Sequence, residues 1–147
     1  MADLVKTESN VPVISGADFQ IPTGHICTID MSTLDGKLAV AAALNGAVTM
    51  KDKVGEVLRV TNFVTTPGVR SRTGEACTNT YLECDDGTVY FTQSDGIARS
   101  VKVIVAAFID QNTGEFKNPV ELGVGVRIDS QELPNGNTLK KAVPVRL

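Results

Sequence analysis

The stretch 85-DDGTVYFTQSDGIARSVKVIVAAF-108 changes period in its middle. From Thr88 to Gln93, after an Asp85-Asp86-Gly87 turn, the residues read as a strand. From Ile97 the apolar residues fall at Ile97, Val101, Ile104, Val105 and Phe108, one helical stripe. Ser94 and Asp95 each offer an oxygen for the N-cap, and Asn112 and Gly114 close the segment. A helix with a single stripe needs a single partner surface, so its neighbours decide the fold.

Those neighbours read as strands. HICTIDM (25–31) alternates; KLAVAAAL (37–44) is short and apolar, with alanines that also suit a helix; VTM (48–50) reads as the return of a hairpin. EVLRVTNFVTT (56–66) places Arg59, Phe63 and Thr65 on one face by simple alternation. A polar loop, PGVRSRTGE (67–75), leads to ACTNTYLEC (76–84). Beyond the helix, VELGVGVRID (120–129) alternates strictly, and TLKKAVPVRL (138–147) closes a hairpin over Pro134-Asn135-Gly136-Asn137. Asp35-Gly36 and Asn45-Gly46 read as further turns. Pro144 lacks an N–H and marks an edge strand or a bulge. Gly123 and Gly125 suit either sharp strand coiling or close approach of another backbone.

Three principal strands, a helix and two strands is the order of an OB barrel. The expected fold is mainly β with one helix: a five-stranded OB-like Greek-key barrel over residues 25–147, with the helix between strands 3 and 4 stopping one mouth. A β-sandwich with one peripheral helix fits the same pattern less closely. Residues 1–24, with Pro12, Pro22, Gly16 and Gly24 around VPVI, read either as a flexible arm or as a segment adding to a neighbouring subunit's sheet edge.

The composition is globular, with 42% hydrophobic and 21% charged residues, while aromatics are only 5%. The core must therefore rest on aliphatic side chains. A net charge of −3 argues against an overall basic duplex-coating surface, but leaves room for a local basic groove. No apolar run is long enough to span a membrane, and MADLVKTESN lacks the pattern of a secretory signal, so a cytoplasmic location is expected. Cys27, Cys77 and Cys84 form no close pair, which suits reduced thiols.

No catalytic set emerges. His25 is the single histidine and has no carboxylate or thiol at useful spacing. There is no phosphate-cradling NTPase loop, and no cluster of metal ligands. A non-enzyme without cofactor or metal is the expectation. What remains is a set of basic and aromatic residues on strands and hairpin tips. An exposed ring beside an Arg can stack a nucleobase and hold its phosphate. Phe63 beside Arg59, Tyr81 beside Asn79 and Glu83, and Tyr90 in preference to Phe91 are the candidate rings. Arg70 and Arg72 lie at one tip; Lys140 and Lys141 follow the last turn, with Arg127 and Arg146 further down its hairpin. On an OB barrel these tips wall the oligonucleotide groove.

TLDGKLAV (33–40), EVLRVTNFV (56–64), DDGTVYFTQSDGIARSVKVIV (85–105) and the closing Gly-turn hairpin together resemble small single-stranded DNA-binding proteins of phages that replicate by protein priming. The resemblance covers residues 28 to 147. It implies aromatic rings on the sheet that stack on bases, with Tyr90 matching the Tyr after the Asp-Gly turn and Phe63 matching an aromatic near the end of the second strand. The chain departs from the pattern in having Phe at 63, in its 70–72 basic loop and in its longer N-terminal arm. The implied partner is single-stranded DNA, with replication proteins and self-association through the arm as further candidates. The alternative class is a structural protein, such as a virion component or an oligomerising adaptor.

Overall fold

A computed structural model describes residues 21–147. The arm expected over residues 1–24 lies almost wholly outside the described residues. In chain order the elements are α1 (Leu34–Asn45), β1 (Val48–Thr49), β2 (Val57–Leu58), β3 (Val60–Val69), β4 (Ala76–Cys84), β5 (Val89–Thr92), α2 (Asp95–Ala107), a short 3-10 helix (Pro119–Leu122), β6 (Val124–Glu132) and β7 (Thr138–Arg146). They form two sheets, ordered β1-β5-β4-β3 and β2-β6-β7. No helix among the described residues is long and apolar enough to cross a membrane.

The protein is mainly β, but two features of the expected barrel are corrected. The described residues hold two helices of more than one turn, and the sheets do not close into a barrel. The extra helix, α1, occupies the KLAVAAAL stretch. Thr33 is its N-cap, its hydroxyl accepting from the Gly36 N–H at 3.0 Å. Asp35-Gly36 is thus the first helical turn rather than a hairpin. Gly36 is required there, because a Cβ would strike the Asp30 carbonyl. Asn45-Gly46 is the helix end, with the Gly46 N–H bonded to the Ala42 carbonyl at 2.9 Å. Three consecutive alanines between leucines favour a helix over the pleated surface of a strand.

Two other segments also differ. HICTIDM contributes a single bridge, Cys27 to Val64, at the edge of β3. The strict alternation from Val120 begins as a 3-10 turn capped by the Asn118 side chain, and becomes strand only at Val124. Gly125 serves close approach: an added Cβ would press on Val57 and Leu147 side chains.

The chain from Val57 to Val69 passes from one sheet to the other. β2 pairs with β6, and β3 pairs with β4. Opposite β4 the register slips, so that Val60 faces Cys84 while Asn62 faces Glu83. Thr61 is the additional residue, a β-bulge. A bulge reverses which parity faces inward: Leu58 and Val60 are buried before it, Phe63 and Thr65 after it.

The main core joins both sheets to one face of α2. Leu58, Val60, Phe63, Leu82 and Ile128 meet Ile97, Val101, Ile104 and Val105 there. Each such residue contributes roughly 1.5–3 kcal/mol relative to exposure. Ser94 caps α2, accepting from the Ile97 N–H at 3.3 Å. The helix is therefore where the sequence places it, packed most closely on β7.

That packing explains the open barrel. Among the described residues β5 pairs only with β4 and β1, and β7 only with β6, so a seam separates β5 from β7. α2 fills it. Gly96 lies so close to β7 that a Cβ would collide with the Lys140 carbonyl. One turn on, the Ser100 hydroxyl accepts the edge N–H of Ala142 at 2.8 Å. The helix backbone stands where a pairing strand would have stood.

The Ala142 N–H points away from β6, so by strand alternation Pro144 also sits at an outward position. The Thr65 N–H points outward to the Ile26 carbonyl, which places Pro67 outward on β3. Two of the edge strands, β3 and β7, thus carry a proline where a donor would face another chain. Pro144 is on an edge strand, as its missing N–H required.

Candidate functional site

The candidate residues separate into those that the fold occupies elsewhere and those that it gathers. Phe63 is fully buried. Its ring meets Phe116 edge-on, with centroids 6.0 Å apart. The bulge at Thr61 is the cause, since it places Phe63 and exposed Arg59 on opposite faces. A stacking role for Phe63 is excluded by this burial.

Tyr90 pairs in register with the core residue Leu82 and packs half-buried against the core. The Lys53 ammonium covers its ring at 5.4 Å from the centroid. Phe91 faces the other way, in register with Tyr81. Their rings lie 5.3 Å apart at 40°. The choice of Tyr90 over Phe91 as the outward ring is thereby reversed, while Tyr81 does stand on the outward face.

Three of the arginines have carboxylate partners, and two of these, Arg59 and Arg127, lie outside the cleft described below. Arg59 holds Asp85 through Nε at 2.6 Å. Arg127 makes a two-pronged contact with Asp129, 2.7 Å from Nε to Oδ1 and 3.1 Å from Nη2 to Oδ2. That bond holds the Asp129 carboxyl below its usual range. Arg72 is exposed at the tip between β3 and β4. Lys141 is exposed and in register with Asp129 across the last hairpin.

Arg70, from mid-chain, and Lys140, seventy residues on, line one cleft of about 460 Å³ at the mouth of the seam. Arg99 of α2 is the third cation there, with Gln93, Ser94 and Asp95 forming the floor and near wall. Asp95 bonds Arg70 at 3.1 Å. Neither Arg99 nor Lys140 has an ion-pair partner among the described residues. On one side the cleft runs into a second hollow of about 240 Å³, which Lys140 also lines, together with Lys51 and Phe91. On the other side lies an apolar groove of about 290 Å³ between α2 and β7, rimmed by Arg99, Lys140 and Lys141.

The three hollows adjoin through shared residues and form a trough along the seam, with Lys51 and Phe91 lining one end, Arg70 and Arg99 the cleft, and Lys140 all three. Lys51 and Arg99 were missed in the sequence because Lys51 stands in the mixed-charge run Lys51-Asp52-Lys53 and Arg99 between the small residues Ala98 and Ser100 of a helix. Only the juxtaposition of β1, α2 and β7 joins them. Gln93 belongs to the same surface, donating to the Asn79 side chain at 3.0 Å on the outward side of the sheet.

Two chemical groups outside the trough have structural surroundings. His25 Nδ1 lies 3.2 Å from the Thr65 hydroxyl. Burial, reinforced by Asp86, Asp85 and Glu83, pushes the Cys84 thiol up to about 11. No cluster of three metal-ligating side chains occurs among the described residues. No family model, no curated protein and no solved structure matches the chain.

Proposed function

We propose that this chain is a non-catalytic protein that binds and coats single-stranded DNA along the seam between its sheets, with little dependence on base sequence. The observation that carries the reading is the convergence of Lys51, Arg70, Arg99 and Lys140 on adjoining hollows, one of which Phe91 also lines. A chain of net charge −3 has no general excess of cations from which such a grouping would follow. Cations spaced along a trough neutralise successive phosphates, while a ring offers a stacking surface to any base.

The strand order adds support. β5-β4-β3 continues through Arg59 into β2-β6-β7. This is the order an OB-like barrel would have if cut between its third and fifth strands, and Arg70 lies in the connection that corresponds to one of the loops flanking the oligonucleotide face of OB barrels. The sequence resemblance extends the proposal to replication of a phage or mobile element in a host cytoplasm. The outward prolines at 67 and 144 weigh against the alternative of a protein that assembles by joining sheet edges.

The direct test is titration of a labelled oligo-dT strand by anisotropy at low ionic strength, alongside tyrosine emission. Saturable binding, with emission changing as Tyr81 and Phe91 are covered, is expected. Absence of binding at low salt refutes the proposal.

A further inference from the structure

Apart from Asp35, Lys37 and Asn45, α1 is built of apolar residues, which is unusual for a helix at a protein surface. Gly36, Val40 and Ala43 are buried inward. The opposite side carries Leu34, 70% exposed, and Leu38, 59% exposed, followed by exposed Ala41 and Asn45. These four are spaced by four, three and four residues, the d-a-d-a seam of a coiled coil. Exposed Met31 extends the patch just before the helix. α2 shows the contrast, since its outward residues include Asp95 and Arg99.

We propose that this face of α1 is a homodimer contact, in which it packs in parallel and in register on α1 of a second copy. Two features select this occupant and this orientation. The seam is flanked by Asp35 on one rim and Lys37 on the other. A parallel two-fold axis brings opposite rims together, so acid faces base across both sides. An antiparallel axis brings like rims together. Asn45, at an a position, meets Asn45 of the other copy only in the parallel register, where the two amides satisfy one another. In the antiparallel arrangement each Asn45 amide would face Leu34 and lose its partners, a cost that polar seam residues use to fix register.

The inference does not depend on the nucleic-acid reading. Its test is sedimentation of the full chain across a concentration series. A dimer is expected, and Leu38→Glu should weaken self-association at least tenfold, with circular dichroism confirming that the variant is folded. Asn45→Cys should yield an intermolecular disulfide on a non-reducing gel, while Ala39→Cys, off the seam, should match the wild type. A monomer at every concentration overturns the proposal, as does a Leu38→Glu dimer as strong as the wild type. Loss of the dimer in Ile14→Glu but not in Leu38→Glu assigns the contact to the N-terminal arm and also overturns it. Cross-linking that requires Leu34→Cys together with Asn45→Cys would mean an antiparallel pair, and overturns the register.

Discussion

If the seam carries the strand, neutralising its cations must change the salt dependence of binding in proportion to their number. Four cations line the trough: Lys51, Arg70, Arg99 and Lys140. For single strands each neutralised phosphate contributes about −0.7 to the slope of log affinity against log salt. Four contacts give a slope of about −2.8, a loss of about 50-fold between 50 and 200 mM salt. Lys140→Gln removes one contact, leaving a slope of about −2.1 and a loss of about 20-fold over the same range. Arg99→Gln should act equally, and the double variant should lower the slope by about 1.4. Arg70 is a special case, because phosphate must displace Asp95 from it. Asp95→Asn should therefore strengthen binding. The controls are Arg59→Gln and Arg127→Gln, whose charges already serve Asp85 and Asp129. Anisotropy titrations of oligo-dT at several salt concentrations measure all of these. Equal slope changes for Lys140→Gln and Arg59→Gln would refute the seam as the path of the strand.

The two phenylalanines should separate stability from binding. Phe63→Ala, which empties a fully buried site, should cost about 3–5 kcal/mol in denaturant unfolding. Phe91→Ala should weaken oligo-dT binding by about 1–3 kcal/mol, read by anisotropy, if the ring stacks on a base. At pH 8 the Cys84 thiol, raised to about 11 by burial, should react with a disulfide reagent far more slowly than exposed Cys27; equal rates would contradict its burial. Asp129 has a folded pKa depressed by Arg127, so its stabilising contribution is present above the unfolded value and fades as pH falls through the folded one. Asp129→Asn should flatten that acid limb in thermal melts, by a small amount because the pair is solvent-screened.

The parts of the fold legible in the sequence were those governed by local period and turn chemistry. α2 lies where its stripe and Ser94 place it, and the turns at Gly87 and Gly136 take the positive φ that glycine permits. β4, β5 and the closing hairpin follow their alternation. α1 is illegible by period because KLAVAAAL, seven apolar residues after Lys37, has none, and only the Thr33 cap distinguishes helix from strand. The site was legible at Arg70 and Lys140, which hairpin tips brought forward. It was illegible at Phe63, because one inserted residue at Thr61 reverses the facing of everything after it. No alternation count can detect a bulge whose cause is the pairing with Glu83 and Cys84. Arg59 and Arg127 were misjudged for a related reason, since their carboxylate partners are fixed by register and local geometry.

The seam itself follows from the same element that opened the sequence reading. A barrel that closed by pairing β5 with β7 would bury the backbone of both edges and leave no trough. α2 prevents that closure because Gly96 and Ser100, one turn apart, let its backbone reach the β7 edge and satisfy the Ala142 N–H. Helices present side chains outward, whereas a paired strand presents its backbone to its neighbours. Substituting the one for the other at the last joint therefore brings Arg99 beside Lys140 and leaves Arg70, from the far sheet, free to reach the same space. The helix stabilises the core with its apolar stripe and sets the charge of the opening with its first turns. A variant that forced the strands together would remove the groove even with every cation retained.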